Sequence, residues 1–456
     1  MTHLAKRKLE AQSRACCHCV RDLLCAVLQE RRPADRALRY FFRNNRHYGS
    51  RDRRLLTASV FAVFRWWGWL REMLPAGTKE ADSQDHQTVP INLPESQCQR
   101  LLLAAWLLER DELPPVTDVW AGQCGLTADW RRITRHKGND LGEYGARILA
   151  AVAGCHGAGG LAKKDLVPAW CMDYLPPGND RDRLIDWFQR RPPVWIRVQR
   201  ADTSNVIDAL RNEGIDVEAH PGFDDAFRVK PTRTNLYGLN AFQHGDFEIQ
   251  DLASQAVGRV CAPSPGERWW DACAGAGGKS LHLARLMNGK GTIVATDIRE
   301  HKLKDLKRRA RRGGVPNIQT REWKGTTVRR KQATFDGVLV DAPCTCSGTW
   351  RRNPDARWST LEKDVRELAD LQTRLLHGAA SGLKPGGAGT LVYATCSVFR
   401  HENGEVVEAF LNDHKDFELM PFTHPITGVM TCGMVQLLPW EGDCDSMFIA
   451  RLVRKA

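Results

Sequence analysis

Two thiols carry the most specific chemistry in this chain. Cys344 lies in F-D-G-V-L-V-D-A-P-C-T-C-S-G-T-W-R-R-N-P-D-A-R-W (335–358) and Cys396 in G-T-L-V-Y-A-T-C-S (389–397). Each follows a short apolar run of strand type, and Pro343 cannot donate to a sheet ladder, so each thiol is expected where a strand ends. The thiols are 396 − 344 = 52 residues apart. A helix predicted over 360–381, closed by Gly382 and K-P-G-G (384–387), fills most of that interval. Strand, helix, strand is the recipe for a parallel pair, which sets both thiols at the carboxyl edge of one sheet, where open α/β sheets bind ligands. Asp341 stands at the same rim. Either cysteine alone reads as a small buried hydrophobe; as a pair at adjacent strand ends they read as functional.

A second site element lies upstream. R-W-W-D (268–271) is a strand candidate, followed by A-C-A-G-A-G-G-K-S (272–280) and a helix over 281–287. Strand, glycine loop and helix N-terminus make an anion- or nucleotide-binding turn. G-K-S (278–280) would close a phosphate-binding P-loop, but its opening glycine would fall at Cys273, which argues against an NTPase. G-T-I-V-A-T-D (291–297) is a second strand ending in a carboxylate, 297 − 275 = 22 residues after the first glycine. That spacing suits a ribose diol and fits NAD and S-adenosylmethionine equally. The thiols separate the two. They have no place in hydride transfer, but suit methylation at a pyrimidine C5: a thiolate adding to C6 makes C5 nucleophilic, and a second group assists release once the C5 proton has left.

These elements need a large scaffold, and 456 residues supply two or three domains. Lys and Arg number 66 against 54 Asp and Glu, a formal charge of +12, which points to a polyanionic partner and first to nucleic acid. Fifteen cysteines without regular spacing read as reduced thiols in a cytoplasmic protein rather than a disulfide scaffold. The N-terminus carries no apolar leader segment, and the longest apolar run, 101–108, is far short of the roughly 20 residues that cross a bilayer. A soluble, cytoplasmic monomer with no membrane association and no bound metal is expected. C-C-H-C (16–19) does not alter this, because neighbouring helical residues point in different directions and no second ligand pair follows.

Apolar residues at three-to-four spacing, such as Val20, Leu23, Leu24, Val27 and Leu28, predict helices over 9–74, and a second helical block covers 96–153. Nine arginines crowd 31–54, read as an RNA-facing surface. The polar stretch 75–94 reads as a loop, and the glycine-rich 154–160 as a linker, since it follows a helix rather than a strand. A small α+β region follows: strands at 193–198 and 226–229, with a helix over 204–213 capped by Ser204. Its Arg197, Arg200 and Arg228 are offered either to RNA or to a purely structural connection.

The runs D-A-C-A-G-A-G-G-K, D-A-P-C-T-C-S-G-T-W-R-R-N-P-D and Y-A-T-C-S closely resemble the motifs of the Fmu/Sun/NSUN family of RNA cytosine-5 methyltransferases, in particular its bacterial 16S ribosomal RNA branch. P-P-V-W-I-R-V (192–198) and N-L-Y-G-L-N-A-F-Q-H-G-D-F-E-I-Q-D-L-A-S-Q (235–255) resemble the segment leading into its catalytic domain. The arginine-rich 34–66 is similar to the helical domain, related to the NusB antitermination fold, that precedes some members. The resemblance implies an α/β fold: a Rossmann-like S-adenosylmethionine-dependent methyltransferase domain (241–456) preceded by an all-helical NusB-like RNA-binding domain (1–155) and a small α+β connecting domain (165–240). It makes Cys396 the nucleophile and Cys344 the residue assisting elimination, with Asp341 and Lys279 positioning base and cofactor. The loop Cys273, Ala274, Gly275, Ala276, Gly277 and Gly278, with Lys279, Asp297 and Asp341, would hold S-adenosylmethionine, Asp297 at the ribose. Arg351 and Arg352 would contact RNA phosphates. Two departures stand out: Ala276 replaces a proline common in the family, and Glu322-Trp323-Lys324 occupies the position that usually offers a carboxylate to the adenine. Cys346 has no counterpart in the motif and is read as packing. The expected reaction is C5 methylation of a cytosine flipped out of RNA, most simply 16S ribosomal RNA. The alternatives are a noncatalytic RNA-binding or ribosome-assembly factor that keeps the fold, and a DNA cytosine methyltransferase, which would place its nucleophile at Cys344.

Overall fold

The computed structural model describes residues 3–74, 93–109, 112–126, 130–131, 140–153, 161–325, 333–384 and 389–455. The stretch 154–160 and most of the loop expected over 75–94 lie outside them, as does the end of K-P-G-G. Two compact units form: Met1–Arg191 with Trp350–Glu362, and Pro192–Thr349 with Lys363–Ala456.

The first unit is helical. His3–Leu24, Ala34–Asn44, Ser50–Leu70, Glu95–Glu109, Thr117–Gln123, Leu141–Ala153 and Asn179–Phe188 are its main helices. Val20, Leu23, Leu24, Val27 and Leu28 are all buried, as their spacing requires, together with Val60, Phe64, Trp66 and Trp67. Cys16, Cys17 and Cys19 are buried on the helix His3–Leu24 and approach different partners: Ser59 Oγ lies 3.9 Å from Cys16 Sγ, and Cys17 Sγ lies 4.0 Å from Glu95 O.

The second unit holds two sheets. The smaller contains β1 (Val194–Val198), β2 (Val217–Ala219), β3 (Ala226–Val229) and β4 (Phe247–Ile249), in the antiparallel order β2-β3-β1-β4. Its helix, Thr203–Asn212, starts one residue before the expected one, because Asp202 rather than Ser204 caps it: the Asp202 carboxylate accepts from Asn205 N. Such a cap contributes about 1 kcal/mol. β4 lies past residue 240, so this sheet is completed by chain that the sequence assigns to the catalytic region. Of its Arg197, Arg200 and Arg228, the last two bind within the unit, and Arg197 makes no guanidinium hydrogen bond among the described residues. Arg197 is fully buried, Arg200 binds Asp246 at 2.8 Å and His244 O at 2.7 Å, and Arg228 pairs with Asp443 at 3.1 Å. Burial removes Arg197 from the RNA-holding reading, while Arg200 and Arg228 keep 42% and 44% of their side-chain surface exposed.

The larger sheet is Rossmann-like. β5 (Arg268–Asp271), β6 (Thr292–Thr296), β7 (Ile318–Arg321), β8 (Gly337–Asp341) and β9 (Thr390–Thr395) are parallel. Three antiparallel strands extend it: β10 (Phe417–Leu419), β11 (Met434–Leu437) and β12 (Met447–Arg454). The order is β10-β12-β9-β8-β5-β6-β7, with β11 paired to β12. From β5 the chain runs outward through β6 to β7, then returns to β8 on the other side of β5. That reversal is the topological switch point at which such sheets bind ligands. Val338, Leu339 and Val340 have no exposed surface, so both faces of β8 are covered and the strand reads as a continuous apolar run. Each such side chain contributes about 1.5–3 kcal/mol. This anchors the strand whose end carries Asp341 and, three residues on, Cys344.

Candidate active site

The loop after β5 is fixed from three sides. Ala272 N donates to Leu339 O and Ala274 N to Thr296 O, each at 2.8 Å, and Gly275 N donates to Asp297 Oδ2 at 2.9 Å. Gly277 has φ +83°, and a Cβ there would fall 2.4 Å from Leu306 Cγ, so only glycine fits. The helix Gly278–Leu286 then points its N-terminus into the switch point. Ala276 O accepts from Arg309 Nη1 at 2.7 Å, and burial pushes the Cys273 thiol up. Asp271, fully buried at the end of β5, accepts from Ser280 Oγ at 2.6 Å. Burial raises its pKa to about 7 against that hydrogen bond, and the nearby Asp341 charge adds to the rise.

Asp297 follows β6, as its spacing from Gly275 requires. Its oxygens accept from Gly275 N, from Arg299 N at 2.8 Å, and from Arg299 Nε and Nη2 at 2.9 and 3.0 Å. Burial works to raise its pKa, but Arg299 and the backbone donors outweigh it, so the carboxylate lies below its ordinary value. Arg299 is a member of this site that motif reading missed; a cation two residues beyond the acid was the available signal. Glu322 and Lys324 are both exposed and face each other at 3.6 Å.

Lys279 and Asp341 meet across the cleft, Nζ to Oδ2 at 2.7 Å. Burial alone would lower the Lys279 pKa; the Asp341 charge and hydrogen bond outweigh it, and the ammonium is retained. Burial raises Asp341 with Lys279 opposing, and Cys396 acts electrostatically on both partners.

The topology brings the two thiols together. β8 and β9 are adjacent and parallel in register Asp341 to Ala394, and Cys344 Sγ lies 3.4 Å from Cys396 Sγ. Contacts with Cys346 and Cys396, then burial, hold the Cys344 pKa well above that of a free thiol. A third thiol joins them: Cys346 Sγ and those of Cys344 and Cys396 all lie within 4.8 Å of one another.

What aligns the thiols is a residue no motif singled out. Glu402 is fully buried between the two thiol loops. Its Oε1 accepts from Thr345 N at 2.9 Å and Gln372 Nε2 at 3.0 Å, and its Oε2 from Thr345 Oγ1 at 2.6 Å and Ser397 Oγ at 2.5 Å. Thr345 adjoins Cys344 and Ser397 adjoins Cys396, so one carboxylate ties both thiol-bearing loops. Further bonds close the seam: Ser347 Oγ lies 3.0 Å from Ser397 Oγ, and Gly348 N donates to Cys396 O at 2.8 Å. A Cβ on Gly348 would stand 2.3 Å from Ser446 O. The trace of Glu402 in the sequence is a Glu-Asn pair just before the helix Gly404–Asp413, which neither spacing nor composition marks as special.

The arginines after Cys344 divide. Arg352 is exposed. Arg351 is 1% exposed, directs its guanidinium at the carbonyls of Arg190 and Arg191, and lies 4.9 Å from the Trp187 ring centroid. The whole segment Trp350–Glu362 belongs to the helical unit, where Trp358 Nε1 donates to Phe64 O and Ala34 N to Asp355 Oδ2. Arg351 is thus withdrawn as a phosphate contact: desolvating a guanidinium requires partners, and here they are backbone oxygens. A basic cavity of about 450 Å³ opens elsewhere in that unit, lined by Arg39, Phe42, Arg43, Arg46 and Arg53. Arg53 lies over the Phe42 ring at 5.3 Å and Arg43 over Tyr40 at 5.8 Å. This is cationic and aromatic lining of the kind that single-stranded nucleic acid uses.

Comparison with known proteins places this geometry in context. The model of the family described as 16S rRNA methyltransferase RsmB/F matches residues 259–453. A probable ribosomal RNA small subunit methyltransferase B of Bacillus subtilis is 36% identical over 299 residues, 64% of this chain and 66% of that protein. A ribosomal RNA small subunit methyltransferase B of Salmonella paratyphi C is 34% identical over 301 residues, 64% of this chain and 67% of its own length. The aligned part thus spans about two thirds of these relatives. Among solved structures, the crystal structure of PH0851 superposes with a TM-score of 0.70 at 25% identity, covering 95% of this chain and 98% of that one.

Proposed function

The chain belongs to the RsmB/F family of 16S rRNA methyltransferases, and from that membership we propose that it methylates C5 of a cytosine in 16S ribosomal RNA, with S-adenosylmethionine as methyl donor and a covalent link between Cys396 and C6 of the base. The observation that carries the reading is the pair of thiols 3.4 Å apart at the ends of neighbouring parallel strands, beside a glycine loop and an acid at the switch point.

The residues present fit the cofactor. Its amino-acid end is zwitterionic and would find donors in the amides of the helix N-terminus and in Lys279, and an acceptor in Asp341; Asp297 would hold its ribose. When bound, S-adenosylmethionine supplies an electrophilic methyl group. Cys396, as the thiolate, adds to C6 and the displaced π electrons make C5 nucleophilic; after transfer, a water takes the C5 proton, the C5–H electrons restore the C5–C6 double bond, and the S–C6 bond breaks to return the Cys396 thiolate. Cys344, its pKa raised, stays a thiol and supports the departing Cys396 sulfur across 3.4 Å. Lys279 and Asp341 orient base and cofactor by charge. The cationic cavity of the helical unit holds RNA backbone, and the enzyme works in the cytoplasm as a monomer.

Cys344→Ala supplies the test. It should accumulate an RNA adduct that survives denaturation, made through Cys396, whereas Cys396→Ala should form none. Absence of an adduct in both, with RNA binding intact, would leave a noncatalytic binding factor. An adduct lost on Cys344→Ser but kept without Cys396 would move the nucleophile to Cys344. Bisulfite sequencing of ribosomal RNA with and without the gene then locates the cytosine.

A further inference from the structure

We propose that Cys344, Cys346 and Cys396 together form a site for a thiophilic d10 cation such as Zn²⁺ or Cd²⁺, occupancy of which blocks the thiols reversibly. Three Sγ atoms lie mutually within 4.8 Å, two of them at 3.4 Å. A tetrahedral zinc site with Zn–S near 2.3 Å sets its sulfurs about 3.8 Å apart, so adjustments of under about 1 Å suffice. All three residues are partly exposed, which gives an ion a route in and leaves a fourth position for water.

Cys346 is the informative member. Its backbone has φ +57°, the left-handed region where a β-carbon costs about 1–2 kcal/mol and glycine costs nothing. The conformation is locked, because Cys346 O accepts from Thr349 N at 2.9 Å and from Thr349 Oγ1 at 2.8 Å. Here a cysteine is held in a glycine conformation beside two other thiols, and its half-buried Sγ lies 3.5 Å from Cys344 O. It completes a three-sulfur face. Cation binding exchanges up to three S–H protons for three metal–sulfur bonds, with no change of oxidation state.

The test titrates the full chain with Cd²⁺ alone, under reductant and without oxygen, and reads the thiolate-to-metal charge-transfer absorbance. Cys346→Gly, which suits the backbone, and Cys346→Ser, which keeps the side-chain size, are compared with wild type. One high-affinity ion per chain that weakens at least about tenfold in both variants supports the site; removing an outer-shell partner of a metal already costs 10–100-fold. Equal affinity in all three proteins, placing the ion at the other cysteines, overturns it. So does loss of two titratable thiols without retained metal, the mark of a disulfide. Because the readout is binding, it stands or fails apart from the assignment of the reaction. The inhibitory arm rests on that assignment: methylation should fall with Zn²⁺ and return on chelation, with the half-inhibiting concentration raised in Cys346→Gly.

Discussion

Removing Glu402 should disable the enzyme by misaligning two thiols that Glu402 never touches. In Glu402→Ala four donors lose their acceptor: Thr345 N, Thr345 Oγ1, Ser397 Oγ and Gln372 Nε2. The hydroxyls can turn to Ser347 and to each other, and Gln372 keeps Pro343 O at 2.9 Å. Thr345 N–H has no such recourse and is buried beside Cys344. A stranded buried donor costs about 1–3 kcal/mol, and with the void left by the side chain the total is about 3–5 kcal/mol. The loops relax by shifting, and a displacement of about 1 Å at reacting groups costs on the order of 100-fold in rate. Glu402→Gln keeps an oxygen at the Oε1 position and presents an amide to hydroxyls that can accept, so its stability loss should be below about 1.5 kcal/mol. The assay is single-turnover methylation of RNA at saturating cofactor, with unfolding followed in urea. The expectation is a fall in kcat with KM for the cofactor little changed, loss of adduct in the Cys344→Ala background, and recovery in the glutamine variant. An alanine variant that is folded at the assay temperature and keeps kcat within about threefold of wild type, under 1 kcal/mol of barrier, would refute the positioning role.

Three further outcomes follow from the same geometry. Asp271 keeps a proton in the folded state up to about pH 7 and loses it near 3.8 when unfolded, so the native state binds the extra proton in that window and stability falls as pH rises. The difference between wild type and Asp271→Asn in urea should change by up to about 1.4 kcal/mol per pH unit between those limits and level off above. Asp297→Ala should weaken S-adenosylmethionine binding at least about tenfold, or about 1.4 kcal/mol, by calorimetry. Arg43→Ala combined with Arg46→Ala should weaken RNA binding across sequences and flatten the plot of log affinity against log salt by about 0.7–0.9 for each phosphate no longer neutralised, with kcat at saturating RNA retained.

The parts of this fold that were legible are those whose burial is written locally. β5, β6, β8 and β9 are covered on both faces or end in a fixed turn, so short apolar runs closed by Asp-Ala-Pro or Thr-Cys-Ser disclose them, and their parallel order sets Cys344 beside Cys396 without knowledge of any contact. β2 and β4 were missed because strands of three residues carry too little pattern to stand out from loop. The cap at Asp202 was mistaken for Ser204 because both residues are good caps and only the backbone conformation selects between them.

Arg351 and Glu402 fail for one shared reason: the partners that decide their surroundings are remote or irregular in sequence. Adjacent arginines read as a pair facing RNA phosphates, yet the backbone at 190–191, some 160 residues away, takes one of them inside while its neighbour stays out. Glu402 sits only six residues past Cys396, but its other half, Thr345, is 57 residues back. A charged residue is assigned to the surface by default because burying it unpaired is costly. That default fails where a network of donors satisfies the charge, and satisfying it requires several loops to be held at once. Those conditions recur where reactive groups must be fixed to fractions of an ångström, so the errors gather around the thiols. The motif marks the thiols, and the buried charges hold the loops that carry them.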